Sequence, residues 1–331
     1  MKKINHRKID HLRICLEEAV ESGSSGFGAV RLPHAALPEL DYDEVDSETR
    51  LFGRKLAYPI VIEALTGGTV KSWKINRDLA SVAQELCVGF AVGSQRAAFE
   101  DKSLAKTFTV RDVAEDILLI ANLGAVQLNY GYGLGECQQA VDMISADALA
   151  LHINPLQEVL QAEGNSDFAG LTQKINNVAK NLKAPVIAKE VGCGISRKTA
   201  EKLDVSAYDV GGLGGTNWAL IEGIRSGREE TGKVFSQWGI PTAESIADLT
   251  PLGKPVIASG GIRSGLDAAK AIALGASCVG IALPVLRAWE DGGVRAVRAY
   301  LMRIAEELRI AMFLSGSRSI AELKGKAQFV R

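Results

Sequence analysis

Four polar side chains able to bind a ligand or move a proton crowd one short stretch, His152-Ile153-Asn154-Pro155-Leu156-Gln157-Glu158, directly after the apolar run 148–151. An imidazole, two amides and a carboxylate delivered together can orient a polar molecule and handle a proton beside it. Glu158 is the one carboxylate of the group, and Mg2+ is ordinarily held by one or two carboxylates with substrate phosphates and water. No HExxH spacing accompanies it, so a metal would arrive with its phosphate. Phosphate chemistry shows elsewhere too. Ser259-Gly260-Gly261-Ile262-Arg263 precedes the helical pattern 266–274, Gly280 to Leu283 precedes another, and Gly214-Gly215-Thr216 follows a neighbouring apolar run. Backbone N–H groups at such helix starts form an anion grip. Arg96 and the basic Arg7-Lys8-Ile9-Asp10-His11 add side chains suited to phosphate oxygens. Lys189 ends another apolar run, where a lone cation is costly without an anion or an electron-rich ring. A surface pair with Glu190 is the plainer alternative.

These groups share an address. Eight short apolar runs rich in Val and Ile recur, at 59–62, 89–92, 117–121, 148–151, 185–188, 207–210, 255–258 and 278–281, with helical patterns such as 76–86, 171–182 and 266–274 between them. Continuous apolar runs mean strands covered on both faces, and their alternation with helices means parallel βαβ units. Eight units over about 250 residues predict an α/β fold, a (β/α)8 TIM barrel, whose ligands meet the C-terminal strand ends. A doubly wound sheet would need GxGxxG after its first strand, and none is there. Residues 1–58 read as an N-terminal extension with a basic helix-like start at 4–19, and 59–331 as the barrel of a single domain, ending in a helical tail at 288–314. The stretch 211–240, rich in glycine and charge, reads as a long lid or binding loop, with Pro241 opening the next helix.

Composition narrows the classes of function. The 331 residues are 47% hydrophobic and 23% charged, and Lys plus Arg (38) nearly cancels Asp plus Glu (39). No basic field exists for a nucleic-acid backbone or an anionic membrane surface. Five scattered cysteines form no CxxC pair, so neither a disulfide framework nor a zinc site is expected. No apolar h-region and no run of membrane length follows Met1-Lys2-Lys3, and the expected location is cytoplasmic. Glycine is the outlier, at 34 residues, against a usual share of roughly 7%. Gly67-Gly68, Gly93, Gly124, Gly192, 211–215 and Gly260-Gly261 cluster at strand ends, where the missing Cβ atoms would let backbone approach a ligand.

Across almost its whole length the chain resembles the type II, flavin-dependent isopentenyl-diphosphate isomerases. The resemblance is carried by Arg7-Lys8 and His11, Leu65-Thr66-Gly67-Gly68, Gly93-Ser94-Gln95-Arg96, Ala121-Asn122-Leu123-Gly124, the stretch 152–158 with Gln161, Lys189-Glu190-Val191-Gly192, Gly214-Gly215-Thr216 with Trp218, 238–242, and 258–263. It implies interconversion of isopentenyl and dimethylallyl diphosphate in isoprenoid biosynthesis without net redox change, with FMN, Mg2+, and NADPH as flavin reductant. It implies FMN contacts from Ala64, Leu65, Thr66, Ser94, Asn122, Lys189, Thr216, Gly260, Gly261, Ala282 and Leu283, with Lys189 at the flavin N1/C2 carbonyl, where a cation favours the reduced anionic ring. Substrate contacts would come from Arg7, Lys8, His11, Arg96, His152, Asn154 and Gln157, and the metal contact from Glu158. Proton transfer would fall to the reduced ring, assisted by the catalytic candidates Gln157 and His152. The resemblance further implies a homo-oligomer, tetramer or octamer, in which the arm from Arg7 to His11 closes a neighbour's site.

Two departures stand out. Leu65 replaces the family's Met, a volume-conserving change. Glu63 stands where the family carries a small residue, and a charge at a buried strand end needs a cationic partner or a raised pKa. The competing reading is an FMN-dependent 2-hydroxy-acid oxidase or dehydrogenase, which shares the SGGIRxGxD stretch. Those enzymes resemble one another in a His-Gly-Gly-Arg near the sixth strand, whereas 211–216 holds neither His nor Arg. Cys193 follows the fifth run, one strand early for the nucleophile of inosine-monophosphate dehydrogenases. A non-catalytic FMN- or phosphate-binding barrel would have no use for His152, Gln157 and Glu158.

Overall fold

The computed structural model describes residues 2–330, with side chains described from residue 7 to residue 330. Alternation along eight strands decides the architecture: β1 (Ile60–Ile62), β2 (Gly89–Ala91), β3 (Leu119–Gly124), β4 (Ala148–Ile153), β5 (Val186–Glu190), β6 (Ala207–Asp209), β7 (Val256–Ser259) and β8 (Cys278–Ile281). Residues of one parity, Val61, Ala91, Ile120, Ala148, Ala150, Ile187, Ala207, Ile257 and Cys278, pack together inside the barrel. Their neighbours of the other parity, such as Ile60, Ile62, Leu149, Leu151 and Val279, join the layer beneath the helices. The strands close as a parallel barrel in chain order, with β8 pairing β1.

The covering helices are α2 (Val70–Leu86), α3 (Arg96–Glu100), α4 (Leu134–Ile144), α5 (Pro155–Leu160), α6 (Leu171–Asn181), α7 (Arg197–Ala200), α8 (Trp218–Ser226), α9 (Glu229–Phe235), α10 (Thr242–Leu249), α11 (Gly265–Ala273) and α12 (Leu283–Leu314), preceded by α1 (Lys2–Glu17). The stretch 211–240 is therefore not a long loop, since α8 and α9 fill it. Asn217 caps α8 by accepting from Leu220 N–H, and Gly227, at φ 68°, ends it. The glycine and charge that read as loop composition belong to helix ends and exposed helix faces. Pro241 precedes α10 as its N-cap. The tail helix begins at Leu283, before the expected 288, and is interrupted at Gly292 and Gly293, where the backbone leaves helical geometry.

Residues before the barrel do more than extend it. A hairpin of Thr49–Leu51 and Arg54–Leu56 plugs the N-terminal end of the barrel, with Leu51 and Leu56 joining the interior cluster. Arg54 anchors it through Asp147 at 2.7 Å. Among the described residues no helix is long and apolar enough to cross a membrane.

Candidate active site

Two residues beyond the interior layer, the same alternation turns Glu63, Gly93, Asn122, His152, Lys189, Asp209, Ser259 and Gly280 toward the barrel axis at the C-terminal strand ends. All but Asp209 line one cleft. Because β3, β4 and β5 run further than their apolar stretches, Asn122, His152, Lys189 and Glu190 stand on strands rather than on the loops where sequence placed them. The cleft measures about 1500 Å3 counting the part open to solvent.

The floor is a closed polar network. Lys189 Nζ lies 2.9 Å from Glu63 Oε2 and 2.5 Å from Asp209 Oδ2, and Ser259 Oγ donates to Asp209 Oδ1. Burial alone would lower the pKa of Lys189, but Asp209 and Glu63 outweigh it and hold the ammonium above its ordinary value. Burial and then Asp209 push Glu63 up to about 7 against the pull of Lys189. Glu63 thus receives both the partner and the shift that its position demands. Space for it comes from Gly280, where a Cβ would lie 2.5 Å from Glu63 Oε1. The surface pair of Lys189 with Glu190 does not form. Glu190 Oε2 accepts instead from the N–H groups of Val191, Gly192 and Cys193 at 2.7, 2.7 and 2.5 Å.

His152 Nδ1 lies 2.7 Å from Asn122 Oδ1, an atom that only accepts, so Nδ1 carries the proton and Nε2 is left as an acceptor. Burial, then Lys8, Lys189 and Arg7, lowers its pKa to about 3, and the ring is neutral near pH 7.

One wall is cationic. Helix α1 brings Arg7, Lys8 and His11 to the cleft of its own chain, beside Arg96 from α3. Within the chain, α1 packs on α8 and α12. Burial, Arg7 and Arg96 lower Lys8 to about 7. Arg96 Nη1 donates to Asn165 Oδ1 at 3.0 Å and Nε to Glu100 Oε1 at 2.9 Å. Gln161, with its amide nitrogen 3.1 Å from Glu222 Oε1, accepts from Arg7 Nη1 at 3.1 Å.

The 152–158 cluster continues this wall. Pro155 opens α5 behind Asn154, whose Nδ2 donates to Gln157 Oε1 (2.9 Å) and Glu158 Oε1 (3.1 Å). Glu158 Oε2 accepts from Asn165 N–H at 2.6 Å, and Asn154 Oδ1 is buried without a donor. Gln157 Nε2 donates to Glu222 Oε1 at 3.2 Å. Glu222, fully buried, also accepts from His11 Nε2 at 2.9 Å and Arg225 Nε at 2.7 Å. Burial alone would raise its pKa, but His11 and Arg225 hold it below its ordinary value. Among the described residues no group of three or more His, Cys, Asp or Glu could hold a metal by itself. The donor set of this wall, the single carboxylate Glu158 beside Arg7, Lys8 and Arg96, fits a metal delivered by an anionic ligand.

Every candidate named from sequence reaches this one cleft, from Ala64, Leu65, Thr66 and Ser94 to Thr216, Gly260, Gly261, Ala282 and Leu283. Two groups were missed, Asp209 and Glu222, and Ser259, named only as the first residue of a glycine turn, was not read as a partner of Asp209. Their signal was a polar residue at an inward position of a strand or on the buried face of a helix. The glycine expectation needs correction. A Cβ at Gly93 would lie 2.5 Å from Thr66 O, and one at Gly260 would overlap Gly212 O. Several of these glycines let adjacent strand-end loops close on one another, rather than baring backbone to a ligand.

Known proteins decide the family. Isopentenyl-diphosphate delta-isomerases of Nostoc sp. and Synechocystis sp. are 45% and 48% identical to the chain, covering 98% and 96% of it and 95% and 94% of their own lengths. The chain belongs to the isopentenyl-diphosphate delta-isomerase family. Residues 164–329 also match the family model described as FMN-dependent dehydrogenase, which marks the flavin-dependent, type II isomerases. Among solved structures, a mandelate oxidase mutant with a monooxide FMN adduct has a TM-score of 0.63 at 20% identity, covering 99% of this chain and 95% of that one. A flavocytochrome b2 mutant with pyruvate bound has a TM-score of 0.69 at 18% identity, covering 96% and 82%. Both share the fold. The isomerase cleft fits FMN on its own evidence: α12 starts at Leu283 with no side-chain cap, beside the Gly260-Gly261 loop in the same cleft, and an uncapped helix start is an anion site.

Proposed function

We propose that the chain interconverts isopentenyl diphosphate and dimethylallyl diphosphate, with FMN bound in the cleft and Mg2+ carried in by the diphosphate. The observation that carries this reading is the cationic wall. Arg7, Lys8 and Arg96 converge with one carboxylate, Glu158, among them, and burial and like charge hold Lys8 at about 7. A diphosphate would neutralise the wall, and Glu158 would complete the coordination of its Mg2+. Ala64, Leu65, Thr66, Ser94, Asn122, Lys189 and Thr216 would hold FMN, with Gly260, Gly261, Ala282 and Leu283 at its phosphate. When reduced, for which NADPH serves as the reductant, FMN supplies a ring able to carry negative charge beside the cationic transition state of double-bond migration.

The chain's own part is positioning and proton control. Asn154 and Glu222 grip Gln157 from either side. Since Glu222 is fully buried, it acts on the cleft through the side chains that reach both, Gln157, His11 and Gln161. His11 keeps its proton on Nε2, toward Glu222. His152, neutral and fixed by Asn122, offers Nε2 to a donor without adding charge beside the substrate. The stretch 211–216 after the sixth strand, which holds neither His nor Arg, argues against a 2-hydroxy-acid oxidase, whose imidazole must accept an α-proton.

The test is an anaerobic assay of FMN-loaded, reduced protein with isopentenyl diphosphate, with and without Mg2+. The expected result is Mg2+-dependent formation of dimethylallyl diphosphate, with Glu158→Gln needing far more Mg2+ while keeping its flavin spectrum. Bound yellow flavin with no isomer formed, together with turnover of a 2-hydroxy acid, overturns the reading.

A further inference from the structure

We propose that Glu63 acts on the bound flavin through Lys189, taking up a proton when the ring is reduced and so coupling flavin reduction to solvent pH. The inference rests on the reading that this cleft holds FMN.

Charge on the floor leads to it. Lys189 contributes one positive charge and Asp209, tied down by Ser259, one negative charge. The protonation of Glu63 therefore decides whether the floor is neutral or carries a net negative charge. Of the other strand ends, Asn122 is uncharged, His152 is neutral, and Gly280 and Gly93 bring no side chain. Glu190, also pushed up to about 7 by burial, is turned onto the backbone of 191–193 rather than onto Lys189, and a comparison with Glu63→Gln separates its titration from that of Glu63. In this network Lys189 is not a free cation. With Glu63 ionised it is opposed by two carboxylates, and its ability to stabilise negative charge on a reduced ring is spent. With Glu63 protonated it is opposed by one. Burial and Asp209 already push Glu63 up to about 7, so that it is about half protonated near pH 7, and negative charge placed above the floor moves it further the same way.

The step balances. The flavin takes two electrons from the reductant and one proton, becoming the anionic reduced ring. The Glu63 carboxylate takes one further proton from solvent and returns it when the ring is reoxidised. The extra uptake occurs above about pH 7 and below the pKa that Glu63 acquires beside the reduced ring.

The test is the reduction midpoint of bound FMN, measured against pH by anaerobic dithionite titration with redox dyes, for wild type, Glu63→Gln and Glu63→Asp. Just above neutral pH the wild-type reduction equilibrium should fall about tenfold more per pH unit than that of Glu63→Gln, which is about 30 mV per unit for a two-electron couple. Glu63→Asp, still ionisable, should keep the extra slope. Parallel profiles for FMN-loaded wild type and Glu63→Gln overturn the proposal. A second measurement compares proton uptake on reduction of wild type and Glu63→Gln in weak buffer at pH 7.5, followed with an indicator dye, while the absorption of the reduced ring reports its own protonation. Uptake by wild type exceeding that of Glu63→Gln supports the proposal, and equal uptake refutes it. Failure of the protein to bind FMN is recognised separately by the missing flavin spectrum, and it removes the FMN reading together with this inference.

Discussion

Lys8, half-buried, and Glu222, fully buried, are charges in opposite condition. Lys8 has cations for neighbours and is lowered to about 7, whereas Glu222 has donors on every side and stays ionised. Two predictions follow from that difference. A bound diphosphate raises Lys8, so binding above pH 7 must take up a proton, and affinity is full below the free-state value and falls as pH rises beyond it. At pH 8, calorimetry of diphosphate binding in two buffers of different ionisation enthalpy should show close to one proton taken up by wild type and none by Lys8→Met. Equal uptake by both would refute the role. Glu222→Gln keeps the volume and removes the charge that His11, Arg225 and Gln157 address. It should lower kcat by about 100-fold, within the usual 10²–10⁴ for groups that govern proton transfer, with flavin absorption unchanged. A change confined to KM would count against this. At this scale sequence was clear where polar residues follow an apolar run, as in 152–158, and silent where one polar residue sits inside it, as Asp209 and Glu222 do. Nothing local marks such a residue, because its partners come from strands and helices distant along the chain.

At the scale of elements, alternation was the legible signal. The eight apolar runs became the eight strands, and the period of two carried on past their ends to bring Glu63, Asn122, His152, Lys189 and Asp209 to one level. What stayed hidden was where strands end, since polar residues at the barrel mouth continue strand geometry without continuing apolar composition. The stretch 211–240 misled because a short helix with exposed charge and glycine caps reads as loop. The glycines offer a direct check. At Gly260, φ is 101° and a Cβ would overlap Gly212 O, so Gly260→Ala should cost the protein without any FMN about 1–3 kcal/mol from backbone strain alone. A melting curve should fall by a few degrees. An unchanged Tm without FMN, with only FMN affinity lost, would restore the view that the glycine exists for the ligand. Helix α1 gives a second check. If it completes its own chain's cleft, mixing Lys8→Met with Glu222→Gln protein should restore no activity, whereas recovery would mean that arms are exchanged between subunits.

At the scale of the whole molecule, the barrel separates two tasks between its ends. The N-terminal end is closed by the hairpin whose Leu51 and Leu56 enter the interior, and it contributes stability. The C-terminal end is open and carries three polar surfaces that face one another: a floor of Glu63, Lys189 and Asp209, a cationic wall under α1, and an anion grip where α12 begins. On the proposed reading this arrangement would hold an anionic ring and a diphosphate together, as an isomerase without net redox change requires. Sequence conveyed that division through the place of its motifs, but not the coupling of the floor charges, which exists only after the barrel closes. The most direct test follows isopentenyl diphosphate by 1H NMR in D2O with reduced, FMN-loaded protein and Mg2+. The account predicts many turnovers to dimethylallyl diphosphate per flavin, with deuterium entering the product and the reductant not consumed. Product limited to one equivalent per reducing equivalent, or no product from protein that visibly holds flavin, would contradict it.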